Sequence, residues 1–324
     1  MYPRISDITL DLFGFEFPIP LFSFGLMVAL AILTATAMSR VEVDRLFGKG
    51  LMKAVRAKVK DSKGREKVQL TSPSVLLWNM AVMAGAFGVL GAKLFHIIDY
   101  WDEFVQNPAA MIFSGSGLTV YGGILVAGIA ILWYAHSKGV NKGRLMDAIA
   151  PGLMLAYGIG RIGCYLSGDG DWGVCSSLDD KPGWIPGFLW SETFPRAMVG
   201  ADPVTYNAVQ RGAECTLANP TGVYPTMLYE FAMTAVLAAL LWVLRKHPFK
   251  AGWLISVYGI LAGIQRFVIE FIKVNPDTSL GLPQSQLISI GFIVAGLIGL
   301  AITTRRVVPN ATDDSPAVQP VAAS

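Results

Sequence analysis

The strongest constraint on this chain is a series of seven apolar runs, at residues 21–39, 74–98, 117–136, 145–167, 226–244, 251–272 and 284–303. The hydrocarbon core of a bilayer is about 30 Å thick, so a helix needs roughly 20 apolar residues to cross it. Hydrophobic residues make up 53% of the chain and charged residues only 15%, which excludes an ordinary soluble enzyme of this length. The sequence therefore predicts an all-α integral membrane protein with seven transmembrane helices.

The segments outside these runs predict the remaining organisation around a membrane domain at 21–303. Residues 1–20 form an amphipathic entry, and residues 40–70 form a loop that carries ten basic side chains. Residues 168–225 are too long and too rich in Gly and Pro for a simple connection, so we expect a small head between helices 4 and 5. The Pro- and Ala-rich segment 304–324 is predicted to be a disordered tail.

The distribution of Lys and Arg predicts the orientation of the chain in the membrane. With the amino terminus outside, the inner segments hold 18 basic residues and the outer segments hold five. Cytoplasmic loops of membrane proteins carry such an excess, so we expect an outer amino terminus, an extracytoplasmic head and a cytoplasmic tail. The net charge of +3 does not indicate nucleic acid as a partner, because the basic residues lie where anionic lipid would meet them.

Two of the three cysteines, Cys175 and Cys215, lie in the predicted head. That side of the membrane is oxidising, so they form either a disulfide with each other or two free thiols. The third cysteine, Cys164, lies in the fourth apolar run.

The first functional candidate is Arg161, near the outer end of the fourth run. A charged side chain in a membrane-spanning helix costs about 2.5–3.5 kcal/mol even on the mildest scale, so it usually faces a cavity or a partner. Tyr157, Arg161 and Tyr165 follow one another at a spacing of four residues, which places them on one face of the helix.

Other polar residues of the apolar runs lie at the same predicted depth as Arg161. Spans that run outward carry them near their ends, and spans that run inward carry them near their starts. These residues are Lys93, His96, Tyr121, Glu230, Arg266 and Glu270. Their common depth predicts a cavity that opens toward the outer leaflet. Its arginines suit an anionic lipid head group, because a guanidinium can hold two phosphate oxygens.

Four motifs resemble those of the bacterial prolipoprotein diacylglyceryl transferase family, and they occur in the same order. The most specific is GRIGCYLSGDGDWG at 160–173. The others are YGG at 121–123, YPTMLYE at 224–230 and RFVIEF at 266–271. The similarity covers about residues 20–303.

The resemblance implies that a diacylglyceryl group moves from phosphatidylglycerol to the lipobox cysteine of a prolipoprotein signal peptide in the bacterial cytoplasmic membrane. No cofactor or metal is implied. Arg161 and Arg266 match the two arginines that hold the lipid phosphate, and Asp169 and Glu270 match acids of the family's motifs. The remaining expected site residues are Tyr121 in a catalytic role, and Gly122, Gly123, Gly160, Gly163, His96 and Glu230 in substrate binding.

This chain departs from the family at several positions. Tyr121 stands where many members have His, Cys164 replaces a usual Asn, and Asp169 replaces a usual Glu. The acceptor thiol must lose a proton, and its pKa of about 8.5 calls for a nearby base or positive field. The candidates for the proton acceptor are His96, Asp169, Glu230 and Glu270.

Two alternatives belong to other functional classes. A lipid transporter would also place charges between helices, but it should contain repeated halves with broken helices, and the sequence has no internal repeat. A non-catalytic lipid-binding relative would retain the two arginines while it lost catalytic groups. The departures at Tyr121 and Cys164 are compatible with that alternative.

The predicted orientation can be tested by cysteine labelling in intact cells. A reagent that cannot cross the membrane should modify a cysteine introduced within 174–222, because this segment is expected outside. The same reagent should leave a cysteine introduced within 50–65 unmodified. The reverse pattern would place the head, and the candidate site with it, on the cytoplasmic side.

Overall fold

The computed structural model describes residues 2–15, 22–60, 66–113, 119–275, 278 and 280–304, and these residues are mainly helical. The helices are α1 (Ile5–Phe13), α2 (Ser23–Gly48), α3 (Leu77–Asp99), α4 (Trp101–Gln106), α5 (Pro108–Phe113), α6 (Val120–Ser137), α7 (Lys142–Ser167), α8 (Pro203–Arg211), α9 (Thr226–Leu244), α10 (Trp253–Ile269) and α11 (Gln284–Thr303). The strands are β1 (Val55–Lys60), β2 (Glu66–Thr71), β3 (Cys175–Ser176) and β4 (Gly222–Val223).

Six helices of the described residues are long and apolar enough to cross a membrane: α2, α3 with its preceding turn, α7, α9, α10 with its following turn, and α11. They coincide with six of the seven predicted runs. The predicted run at 117–136 corresponds to α6, which is apolar but shorter than the other six. A multi-pass helical membrane protein is therefore confirmed, and the count of seven crossings stays a prediction.

The connecting segments contain more structure than the sequence predicted. Helix α2 continues to Gly48, and within the predicted basic loop β1 and β2 pair antiparallel, with Val55 opposite Thr71. A second antiparallel pair, β3 with β4, lies in the predicted head. The all-α prediction thus describes the apolar runs but not their connections. The predicted tail lies outside the described residues from 305 onward, as do residues 16–20 of the predicted entry.

The described residues divide into two compact units, one of which comprises Thr36–Ala148. In this unit α3 and α6 pack closely through glycines. A Cβ atom added to Gly123 would lie 2.8 Å from the carbonyl oxygen of Gly88, and one added to Gly91 would lie 2.6 Å from the Cβ of Val126. Small residues at these positions let the two backbones approach, as is common between membrane helices.

The other unit comprises Met1–Ala35 and Ile149–Arg305, and it contains the polar residues of the fourth, fifth and sixth runs. Its apolar core joins α7, α9 and α10 through Ala150, Met154, Ala238, Leu241 and Leu254, which are all buried. Helix α10 packs along α11, where a Cβ atom on Gly263 would lie 2.8 Å from the carbonyl oxygen of Ser289. These contacts bring the carboxyl-terminal end of α7 beside the start of α9 and the end of α10.

A small apolar cluster joins residues 168–225, the predicted head, to Cys164 of α7 and Met227 of α9. Trp172 and Phe194 are almost fully buried, with ring centroids 4.8 Å apart, and Tyr206 packs edge-on to Trp172. Cys175 and Cys215 form a disulfide, which decides between the two alternatives that the sequence left open. The entry segment contacts the head through an ion pair of 2.9 Å between Asp11 and Arg196.

Candidate functional site

Arg161 lies in the last two turns of α7, and the loop after this helix folds back over it. We call residues 168–173 the acid loop. The loop reverses because Gly168 and Gly170 have φ angles of 60° and 91°, a left-handed conformation that side chains rarely adopt. A Cβ on Gly168 would also lie 2.7 Å from the Cα of Ala197. The reversal brings the Asp171 carboxylate to Nη1 of Arg161.

Glu230, in the second turn of α9, lies at the centre of the site and is completely buried. Its Oε2 atom is 2.8 Å from Nε of Arg161 and accepts a hydrogen bond of 2.5 Å from the Tyr157 hydroxyl. Arg161 Nη2 donates to the same hydroxyl at 2.8 Å. Tyr157 and Arg161, one turn apart on α7, therefore both contact the one carboxylate.

The second arginine reaches the same carboxylate from α10. Nη1 of Arg266 lies 3.5 Å from Oε1 of Glu230, and Nη2 lies 3.1 Å from Oε2 of Glu270. Asn275 donates a hydrogen bond to the other oxygen of Glu270. The two arginines are thus linked through Glu230, although they come from helices more than 100 residues apart in sequence.

Lys273 closes the network from the segment after α10. Its side chain is 0% exposed, and Nζ lies 2.7 Å from Oδ2 of Asp171 and 2.6 Å from Oε1 of Glu230. Its backbone pairs with that of Gly173 in an isolated β-bridge. The chain therefore fixes Lys273 directly beside the acid loop.

The network has three cationic groups, Arg161, Arg266 and Lys273, and three carboxylates, Asp171, Glu230 and Glu270. Buried charges are tolerated when they are paired in this way. The side chains of Glu230, Glu270 and Lys273 are 0% exposed, whereas those of Arg161, Arg266 and Asp171 are 17%, 19% and 24% exposed. Only the latter three can touch a molecule that approaches from outside.

The two aspartates of the acid loop differ in their electrostatic surroundings. Burial disfavours the charged form of Asp171, but Arg161 and Lys273 overcome this effect and hold its pKa well below the usual range. Asp171 therefore stays ionised at neutral pH. The dense surroundings of Asp169 raise its pKa instead, although the side chain keeps an exposed face. Its Oδ1 atom accepts a hydrogen bond of 3.1 Å from the Asp171 amide.

The structure brings together four of the residues expected from sequence: Arg161, Arg266, Glu230 and Glu270. Asp169 lies in the acid loop, but Asp171 is the acid that contacts Arg161. Glu230, which was expected to bind substrate, is completely buried and pairs with both arginines, and its role in substrate binding stays a prediction.

The remaining expected residues divide between the two units: Gly160 and Gly163 stand beside Arg161 on α7, and the others belong to the unit that contains α3 and α6. A Cβ on Gly163 would lie 3.1 Å from that of Met27, so Gly163 is a packing position, while one on Gly160 would meet no atom of the described residues within 4 Å. His96, Tyr121, Gly122 and Gly123 belong to the unit that contains α3 and α6. There a Cβ on Gly122 would lie 2.6 Å from the carbonyl oxygen of Gly91, which indicates close packing of these helices.

Sequence reasoning missed Asp171 and Lys273. Asp171 was obscured by Asp169, because both acids stand in the repeated Gly-Asp pattern of the motif. Lys273 was counted as an outer loop residue, although it stands seven residues after Arg266, near the end of the same apolar run. Its proximity to the helix end was the available signal, but snorkelling lysines give the same signal.

Comparison with known proteins supports the family resemblance that the sequence motifs indicated. A family model described as prolipoprotein diacylglyceryl transferase matches residues 12–302. A phosphatidylglycerol–prolipoprotein diacylglyceryl transferase of Dehalococcoides mccartyi is 32% identical over 210 residues, which is 65% of this chain and 70% of that protein. The protein of the same name from Streptococcus uberis is 27% identical over 251 residues, covering 76% of this chain and 85% of that protein.

Replacing Lys273 with Met should strongly destabilise the folded protein. The substitution keeps most of the volume but leaves Asp171 and Glu230 without their shared cation. Removing one partner of a buried ion pair costs about 3–5 kcal/mol. Thermal unfolding in detergent should therefore show a clear decrease in Tm. The matched control is Lys246→Met, at an exposed position, which should unfold with the wild type. Equal Tm values for the two variants would contradict the ion-pair assignment of Lys273.

Proposed function

The chain belongs to the prolipoprotein diacylglyceryl transferase family, and we propose that it transfers a diacylglyceryl group from phosphatidylglycerol to the lipobox cysteine of a prolipoprotein signal peptide. The relatives named above carry both substrates in their names. The enzyme class is that of a transferase.

One observation carries this proposal: a single buried carboxylate, Glu230, holds two arginines, each of which keeps an accessible edge. The three carboxylates of the network balance its three cationic groups. A bound phosphodiester would therefore bring one negative charge that no carboxylate of the network shares or replaces. Such a group would meet guanidinium N–H donors from both α7 and α10. Guanidinium groups bind phosphate oxygens with directed, charge-assisted hydrogen bonds.

The transfer exchanges one bond for another. The thiol of the acceptor peptide loses its proton, and the sulfur forms a thioether bond to the terminal glyceryl carbon of the lipid. The bond from that carbon to the phosphate oxygen breaks, and glycerol phosphate leaves with the electron pair. Negative charge therefore moves from sulfur to phosphate during the step. Arg161 and Arg266 would stabilise this developing charge, which is the usual action of preorganised donors in a poorly hydrated site.

Among the candidate proton acceptors of this unit, Asp169 fits best. A general base works best when its pKa lies near the working pH. The pKa of Asp169 is raised and its side chain is exposed, whereas Asp171 has a lowered pKa and Glu230 and Glu270 are buried. His96 belongs to the other unit and remains the second candidate. We assign Glu230, Lys273 and Tyr157 to the orientation of Arg161.

The apolar helices establish a multi-pass membrane protein of a bacterial family. We propose the cytoplasmic membrane as its location, with the amino terminus outside and the site near the outer leaflet. Prolipoprotein signal peptides would reach such a site from the bilayer. The amphipathic entry, the head and the cytoplasmic tail keep the sidedness that the distribution of basic residues predicts.

A transfer assay separates this proposal from a non-catalytic lipid-binding relative, which the departures at Tyr121 and Cys164 would suit. Purified protein is incubated with phosphatidylglycerol and a lipobox peptide, and the peptide mass is measured. A transferase adds the mass of the diacylglyceryl group. Unmodified peptide in the presence of bound lipid would favour the non-catalytic relative.

The variant Arg161→Lys should lose most of this transfer while the protein still inserts and folds. Lysine keeps the charge but cannot contact Asp171, Tyr157 and Glu230 with separate nitrogens. The loss of one preorganised donor costs about 2.7–4 kcal/mol in well-studied enzymes, which corresponds to a roughly 100- to 1000-fold lower rate.

The matched control is Cys164→Ala, three residues further along α7. Cys164 is buried against Trp172 and Phe194, its sulfur accepts only a weak, long contact of 3.9 Å from Nη1 of Arg161, and the acceptor thiol belongs to the substrate. This variant should keep substantial transfer, as a packing position allows. A near-normal rate for well-folded Arg161→Lys would refute the phosphate assignment. A loss in Cys164→Ala as deep as in the arginine variant would indicate covalent catalysis by Cys164.

A further inference from the structure

Helix α8 of the head contacts the acid loop on both sides of Asp171. Asn207 of this helix is 3% exposed. Its Oδ1 atom accepts a hydrogen bond of 3.0 Å from the Trp172 indole nitrogen, and its Nδ2 atom donates to the Gly173 carbonyl at 3.0 Å. Tyr206 packs against Gly170, where an added Cβ would lie 3.0 Å from the tyrosine hydroxyl. The helix therefore fixes the residues that flank Asp171.

Arg211, in the last turn of α8, joins the two segments that carry Asp171 and Lys273. Its Nη2 donates to the carbonyl of Gly170 at 2.5 Å, and its Nη1 donates to the carbonyl of Val274 at 2.8 Å. Gly170 immediately precedes Asp171, and Val274 immediately follows Lys273. A planar guanidinium can span two backbone carbonyls in this way, whereas an ammonium group cannot hold both with fixed geometry.

The disulfide ties the end of α8 to the same region. Cys215 lies four residues after Arg211, and Cys175 lies two residues after Gly173. A helix of nine residues is marginal by itself in water. The N-cap Asp202, which accepts from the Thr205 amide at 3.0 Å, and the cross-link together hold it in place.

We infer that α8 positions the acid loop for catalysis, with Arg211 and Asn207 as positioning residues that act through Asp171. This inference rests on the proposed function, because it concerns the rate of the same transfer. Arg211 keeps Gly170 and Val274 together, so the Asp171 carboxylate stays between Arg161 and Lys273. Without that contact, the acid loop loses the link between Gly170 and Val274, and Asp171 then holds Arg161 less firmly in the orientation that meets the phosphate.

The test compares Arg211→Lys with Arg196→Lys, two conservative changes in the head. Arg196 is the matched control because its half-exposed side chain pairs with Asp11 of the entry segment. Steady-state transfer should show that Arg211→Lys lowers kcat about 10-fold, since a small misplacement of oriented groups has such effects. The KM values for lipid and peptide should stay within about two-fold, because the arginines themselves remain. Arg196→Lys should match the wild type.

Hydrogen exchange measured by mass spectrometry provides a readout that does not depend on transfer. The amide of Gly173 donates to the carbonyl of Tyr224, and that of Val174 donates to the carbonyl of Ile272. In Arg211→Lys a peptide covering these amides should exchange about 10-fold faster, the factor expected for loss of roughly one hydrogen bond. Peptides from α9 should exchange as in the wild type.

Each outcome decides the inference. Faster local exchange with a lower kcat supports it. Wild-type exchange and kcat in Arg211→Lys would overturn it, as would a change confined to KM. If the wild-type protein shows no transfer, the proposed function fails, and the exchange rate of Arg211→Lys still decides whether α8 holds the acid loop.

Discussion

The structure around the site depends on one buried carboxylate, Glu230. A fully buried carboxylate without partners would cost several kcal/mol, so the fold must supply cations and donors around it. Arg161 and Tyr157 come from α7, Arg266 comes from α10, and Lys273 comes from the segment that follows. Because each of these groups contacts the same carboxylate, Glu230 fixes the positions of their side chains relative to one another.

The fold serves this arrangement at two levels. Close helix packing places the end of α7 beside the start of α9, and an apolar core joins α7, α9 and α10, the helices that carry the two arginines and Glu230. The head also contributes the acid loop. The Asp171 carboxylate of this loop pairs with Nη1 of Arg161, whereas Glu230 pairs with Nε. The result is a nearly balanced set of charges in which only Arg161, Arg266 and Asp171 keep accessible surface. In the proposed function, the fixed positions of the buried groups would preorganise the two arginines for an anionic phosphate, as transition-state stabilisation needs.

Much of this organisation could be predicted from the sequence, because apolar length and the positions of intramembrane charges are local properties. Arg161, Arg266, Glu230 and Glu270 were found from their depth and from the family motifs, and they do lie together. The pairings were not predictable. The sequence does not show which of the two acids, Asp169 or Asp171, contacts Arg161. The left-handed conformations of Gly168 and Gly170 decide this, because they turn the loop so that Asp171 reaches Arg161. The strands β1 and β2 were missed for a different reason: their many charged side chains are typical of a solvated loop.

The central claim is that Glu230 orients both arginines for phosphate. The most direct test is the rate of diacylglyceryl transfer from phosphatidylglycerol to a lipobox peptide by Glu230→Gln, measured on protein whose folding is verified by thermal unfolding. Glutamine keeps the shape of the side chain but removes the charge that Arg161, Arg266 and Lys273 share. We expect at least a roughly 10-fold lower kcat in the folded variant, because the misdirected arginines no longer meet the leaving phosphate together. Transfer by folded Glu230→Gln at the wild-type rate would contradict the claim.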